Sequence, residues 1–221
     1  MIPGTNGTIA HMLQRGKKAR MRTRPGTTMA YDVNDIIHRE GDAADTLYTI
    51  VSGVVVLSRM ASDGEERPTA ILSAGEVFGD DFMLEEVYLT TATALTPVQL
   101  KAVGYDLLTQ EDLPFLLWNS AERYRRLLEY TSRLSTSSVQ VKVCEVLVRL
   151  MSTELSQPAD DGTFHIKISQ QQLSELAHTR RESTAKALSE LRRQQVVVTG
   201  YNTVVVLEPL SLIELAEGFG D

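Results

Sequence analysis

A single cysteine, Cys144, is all the thiol the 221 residues contain. It excludes an internal disulfide framework and fits a reducing, intracellular compartment. No apolar run approaches the roughly 20 residues a membrane span requires, and the start of the chain has no apolar signal core, so the cytoplasm is the expected location. The four histidines, His11, His38, His165 and His178, show no pairing at metal-ligand spacing, and no metal is expected. No nucleophile–base motif, phosphate loop or paired-ligand motif stands out, so neither an enzyme nor a cofactor is expected. A general excess of basic charge is also missing, since the net charge is −7. That sum hides a local patch. Between Thr163 and Gln195 the cations Lys167, Arg180, Arg181, Lys186, Arg192 and Arg193 outnumber Glu175, Glu182 and Glu190.

Within that patch two short helices are expected, joined by a tight turn. Ser169 with Gln172 has capping-box spacing, and Leu173, Leu176 and Ala177 give the first helix one apolar face. Thr179 with Glu182 repeats the spacing and is expected to start the second helix. Thr184, Leu188 and Leu191 point inward at i, i+4, i+7, leaving Arg181, Glu182, Ala185, Lys186 and Ser189 on the other face. Such a pair is a DNA-binding helix-turn-helix or an ordinary amphipathic hairpin. The flanks favour the former. Thr163 to Ile168 reads as a strand leading in, and Val196–Thr199, Gly200-Tyr201-Asn202 and Thr203–Leu207 read as a β-hairpin leading out. Together they make a winged helix.

These residues resemble the winged-helix domain of the CRP/FNR family of bacterial transcription regulators. Its recognition helix carries Arg-Glu-Thr/Ser with a basic residue four positions after the Glu, matched here by Arg181-Glu182-Ser183 and Lys186. The resemblance extends over nearly the whole chain. Leu47-Tyr48-Thr49-Ile50-Val51-Ser52-Gly53-Val54-Val55-Val56-Leu57 is similar to the family's sensor pattern. So are Ile37-His38-Arg39-Glu40-Gly41-Asp42 before it and Gly75-Glu76-Val77-Phe78-Gly79-Asp80 after it. Each motif is short; their order and spacing carry the likeness.

The fold class expected is α+β, in four parts. Residues 1–24 form a leader with six cations and no acid, a DNA-contacting arm or a solvated end. Residues 25–110 form an antiparallel β-roll of the cyclic-nucleotide-binding type, its short strands separated by turns such as Asp32–Asp35 and Ala61–Glu66, with Asp63-Gly64 as a tight hairpin turn. Residues 111–137 form a long helix, and 138–221 the winged helix. In the long helix Leu117, Ala121, Tyr124, Leu128, Thr131 and Leu134 recur every three to four residues, with Glu122, Arg123, Arg125, Arg126 and Glu129 at the polar positions between them. This seam is a two-stranded coiled coil or a face that packs on the chain's own roll; the resemblance implies a dimer axis. A further helix over about Val139–Leu155, a loop over Gln157–Gly162 and a closing helix capped by Ser211 complete the expectation.

Family members that bind cyclic nucleotides carry Phe-Gly-Glu-Leu followed by an Arg that holds the phosphate. Here Asp80 replaces the Glu and Leu89 stands at the Arg position. No Arg or Lys occurs from Gly79 to Leu100, and Asp80, Asp81, Glu85 and Glu86 would repel a phosphate. Cyclic AMP is therefore not expected to bind. Phe78, Gly79, Asp80, Thr90 and Thr91 remain the candidate effector pocket, the threonines serving a small polar ligand or only their strand. Val55, Leu57, Phe78, Phe82, Met83 and Leu84 line a hydrophobic effector site or form simple core. One cysteine is too few for an iron–sulfur cluster; Cys144 is an inert core thiol or a redox switch.

The resulting expectation is a homodimeric regulator on a palindromic double-stranded DNA operator, with RNA polymerase as a further partner and no membrane. Arg181, Glu182 and Lys186 would read base edges, while Ser169, Gln171, Thr179, Arg180, Ser183 and Ser189 would touch phosphates or flanking bases. The alternative is a small-molecule-binding module whose winged helix mediates protein contacts.

Overall fold

The computed structural model describes residues 27–134 and 138–218, residues 129–134 as backbone only. The basic leader, residues 1–24, lies outside the described residues. The rest divides into two compact units between Ser132 and Arg133.

In the first unit eight short strands follow one another: β1 (Thr27–Tyr31), β2 (Ile36–His38), β3 (Thr46–Ser52), β4 (Val55–Met60), β5 (Glu66–Leu72), β6 (Val77–Phe78), β7 (Thr91–Ala94) and β8 (Val98–Gly104). They form two antiparallel four-stranded sheets, ordered β1-β8-β3-β6 and β2-β7-β4-β5. Alternation decides which side chains meet. Tyr48, Ile50 and Leu100 from one sheet pack against Val55, Leu57, Leu72, Ala92 and Ala94 from the other, around Phe78. The β4–β5 hairpin turns at Asp63-Gly64, where Gly64 has φ +81° and the Asp63 carboxylate accepts the Glu65 N–H at 3.1 Å. Between β3 and β4, Gly53 has φ +92°, and any side chain there would collide with the Pro97 carbonyl. Helix α1 (Leu113–Leu134) follows and buries Phe115 and Leu116 against Leu47 and Val77.

The second unit runs α2 (Val139–Met151), β9 (Ser156–Pro158), β10 (Phe164–Lys167), α3 (Gln170–Leu176), α4 (Arg181–Arg193), β11 (Val197–Gly200), β12 (Thr203–Val206) and α5 (Pro209–Ala216). Its antiparallel sheet has the order β11-β12-β10-β9. Ser138 caps α2 by accepting the Val141 N–H at 3.3 Å, and α2 buries Val143, Cys144, Leu147 and Leu150.

Four details differ from expectation. Helix α2 ends at Met151, not Leu155, because the Thr153 hydroxyl donates to the Leu150 carbonyl at 2.8 Å and closes the last turn. Gln157 and Pro158 are not loop but part of β9, an edge strand where a proline removes no needed hydrogen bond. Helix α5 starts at Pro209 rather than at a Ser211 cap, since proline's fixed φ suits the first helical position. The box expected from Thr179 and Glu182 does not form. Arg180 is the N-cap of α4 without a side-chain hydrogen bond, and the Thr179 hydroxyl instead meets that of buried Thr184 at 2.6 Å.

Candidate nucleic-acid interface and sensor cassette

Helix α3 starts where the sequence places it. The Ser169 hydroxyl accepts the Gln172 N–H at 3.1 Å, and Gln172 Oε1 accepts the Ser169 N–H at 3.0 Å. Leu173 and Leu176 are buried beneath it. The chain then turns through His178, at φ 51°, into α4. Thr184, Ala187, Leu188 and Leu191 are buried and fix that helix's rotation. Its outer face therefore carries Arg181, Glu182, Lys186 and Ser189, all exposed, with Arg180 exposed just ahead of it and Ser183 half-buried.

The charges on this face are used unevenly. Arg193, near the C-terminus of α4, is paired with Glu190 at 2.6 Å, and Arg192 donates to Ser189 at 2.8 Å. Arg180, Arg181 and Lys186 have no ion pair among the described residues. Ser183, Lys186, Ala187 and Glu190 face Ser138, Val139 and Gln140 across an open cavity of about 380 Å³. Lys186 thus lies beside the start of α2, whose macrodipole also favours an anion. Gln171 is exposed and donates to Glu175 at 2.7 Å. The hydroxyls of Ser169 and Thr179 are taken by the capping box and by Thr184, so those two residues reach a phosphate less freely than the sequence implies.

The expected effector residues are spent on separate partners. Phe78 is fully buried between the sheets. Gly79 has φ +80°, and a Cβ there would lie 2.6 Å from the Thr46 carbonyl oxygen. Asp80 turns to α1, where it forms an ion pair with Arg123 and accepts from the Ser120 hydroxyl at 2.9 Å. Thr90 is half-buried, and the Thr91 hydroxyl accepts the Glu40 N–H at 3.1 Å. The apolar set divides as well: Val55, Leu57 and Phe78 are core, Phe82 is half-buried, and Met83 and Leu84 are exposed.

Two of the arginines at the polar positions between the seam residues are half-buried. Arg123 donates to Asp80 and to the Val77 carbonyl at 3.3 Å, and Arg126 pairs with Glu76 at 2.6 Å. The signal was present in their spacing. Phe115, Leu116, Asn119, Arg123 and Arg126 form a second stripe along α1. On the opposite side Leu117, Ala121, Tyr124 and Leu128 are exposed, as are Leu113 and Leu127. The side chains of Thr131 and Leu134 lie outside the described residues.

His38 is only 6 % exposed, with its ring stacked on Tyr88 at 3.8 Å between centroids. Neither ring nitrogen makes a hydrogen bond of ordinary geometry. Burial lowers its pKa to about 4, outweighing the Asp42 charge and the nearby Thr90 backbone. Cys144 is buried within α2, and burial, then Glu145, pushes its thiol up to about 12. A thiol of that kind is an inert core group.

Two family models match the chain: a cyclic nucleotide-binding domain over residues 28–111 and a Crp-like helix-turn-helix domain over residues 141–215. The transcriptional regulator LdrP of Thermus thermophilus is 26 % identical over 178 residues, 80 % of this chain and 91 % of that protein. A cyclic AMP receptor protein of the same species is 31 % identical over 189 residues, 82 % of this chain and 84 % of that one. The crystal structure of a CRP-family transcriptional regulator, also from Thermus thermophilus, superposes with a TM-score of 0.76 at 26 % identity, covering 85 % of this chain and 96 % of that one.

Proposed function

Because the chain belongs to the CRP/FNR family of DNA-binding transcription regulators, we propose that it acts as a homodimer on a palindromic double-stranded operator, and that cyclic AMP is not its signal. The observation that carries the reading is the outer face of α4, where Arg181 and Lys186 are exposed beside Glu182 and without an ion pair among the described residues. Arg181 and Lys186 suit guanine O6 and N7, and Glu182 suits a cytosine amino group. Gln171, Arg180, Ser183 and Ser189 flank that face and suit phosphates. The exposed α1 seam, with Leu117 at 61 %, Tyr124 at 62 % and Leu128 at 49 % exposure, supports dimerisation. Two recognition helices then reach half-sites about one DNA turn apart. RNA polymerase is the further partner we assign, the cytoplasm the place of work, and regulation rather than catalysis the role.

Several relatives, the Thermus receptor protein among them, are named for cyclic AMP. This chain departs at the cassette: Leu89 stands where the phosphate-holding Arg is expected, and Asp80 is already engaged with Arg123. Burying a cyclic phosphate there without a basic partner costs several kcal/mol.

The test is selection of bound sites from random duplex DNA, followed by gel shift of the full chain. An enriched palindrome is expected, while a retained pool without any preferred sequence would return the protein to the alternative of a sensor whose winged helix meets other proteins. Leu128→Glu should give monomers by light scattering and lose most operator affinity. Cyclic AMP at millimolar concentration should shift neither Tm nor operator affinity; a ligand at a hundred times its Kd would add about 2.7 kcal/mol.

A further inference from the structure

The sensor cassette holds its anions in an unusual way. Asp80 is gripped from α1 by Arg123 and by the Ser120 hydroxyl at 2.9 Å. Arg123 reaches further, to the Val77 carbonyl at 3.3 Å. One turn along the helix Arg126 holds Glu76 at 2.6 Å, and Glu76 in turn accepts the Ser73 N–H at 2.7 Å. Strand β6 and the 3-10 turn Asp80–Met83 are thereby bracketed by two arginines of one helix. These pairs are shielded: the side chains are 26 % and 11 % exposed for Arg123–Asp80, and 32 % and 16 % for Arg126–Glu76. Charges so placed are weakly screened by salt.

Asp81 adds a second carboxylate. Its pKa is raised, first by burial and then by Asp80, while the Leu89 backbone N–H and Arg123 favour its charged form. An anionic effector in such a cassette requires a cation and backbone N–H groups that are free to receive it. Here Arg123 is taken by Asp80.

We infer that the cassette is occupied from within: Asp80, held by Arg123 and Ser120, stands in for an anionic effector and fastens β6 and its following turn to α1, so that operator binding requires no small molecule. The inference rests on the DNA-binding reading above and names how that activity is regulated. Breaking the Asp80–Arg123 pair leaves one charge shielded and unmatched, which loosens the cassette from α1. Because both residues serve one contact, their losses overlap rather than add.

The experiment uses the full chain, dialysed and shown by native mass spectrometry to carry no bound ligand, against the selected operator. Wild type is expected to bind with no addition, and cyclic AMP, cyclic GMP and inorganic phosphate to change nothing. Asp80→Asn and Arg123→Met are each expected to weaken operator binding about tenfold, a usual size for a coupling between sites. Their double variant should be no weaker than either single one, with the dimer mass retained. Ser120→Ala removes one neutral hydrogen bond, is the variant least disturbing to folding, and should weaken binding by a smaller factor in the same direction. Singles and Ser120→Ala that bind as wild type does, or a double variant that loses the product of the two single effects, would overturn the inference. Selective binding by wild type only after a ligand is added would overturn it and leave the DNA-binding reading intact. No selective binding under any condition would overturn both.

Discussion

Two pairs of arginines, one pair in each unit, are held in opposite ways. In the sensor unit Arg123 and Arg126 lie half-buried on α1 and are matched to Asp80 and Glu76. In the winged-helix unit Arg180 and Arg181 stand exposed at the start of α4, without an ion pair among the described residues. The contrast follows from solvation. A guanidinium removed from water must be matched by a carboxylate, because an unmatched buried charge costs several kcal/mol. One left in water costs the fold nothing and remains available to phosphates and base edges. Arg123 and Arg126 therefore hold structure, while Arg180 and Arg181 remain exposed to solvent. Changes in the two units should separate stability from DNA affinity.

The largest separation is expected at acid pH, from His38. Its pKa in the folded chain is about 4, against an ordinary value of 6.5. The unfolded chain thus takes up the proton first as pH falls. The stability associated with the neutral ring is complete above pH 6.5 and is lost as pH falls toward 4, by up to about 3 kcal/mol. His38→Phe, which keeps an aromatic ring on Tyr88, should remove that part of the acid sensitivity. Tm measured between pH 7 and 4 checks this, and equal slopes for variant and wild type would show that other groups dominate.

Next in size is Arg181. Arg181→Ala should cost on the order of 1–3 kcal/mol of operator affinity and relax the choice at one base position, with Tm unchanged. Arg193→Ala, which loses a pair already exposed to solvent, should weaken binding to all DNA sequences alike. Site selection with each variant distinguishes them. Unchanged operator choice by the Arg181 variant would remove that residue from base readout.

The smallest effect is local. Ser169→Ala opens the capping box and should lower the stability of the winged helix by about 1 kcal/mol. Thr179→Ala should disturb the turn through Thr184 instead, since Thr179 caps nothing. Hydrogen exchange at the Gln172 amide, protected in wild type and exposed in the Ser169 variant, reports the first change and should not move in the second.

What the sequence by itself determined is what depends on neighbours a few residues apart. The Ser169–Gln172 box, the Asp63-Gly64 turn and the inward row Thr184, Leu188, Leu191 are each written within one or two helical turns or one hairpin. The order of such motifs was enough to identify the family. Only the tertiary structure decided what depends on partners far along the chain. Asp80 and Arg123 are 43 residues apart, and Glu76 and Arg126 are 50. Read alone, the cassette is acidic and the helix is polar; brought together, each neutralises the other. His38 had no local feature to mark it, and became a buried, unmatched imidazole only when Tyr48, Phe78 and Tyr88 closed around it. Thr179 satisfied a local capping pattern and lost it because the helix takes Arg180 as its N-cap, which leaves the Thr179 hydroxyl one residue too early and turned to that of buried Thr184. Periodicity assigns a residue to a face; what that face meets, and hence whether a charge is spent or free, is settled by packing.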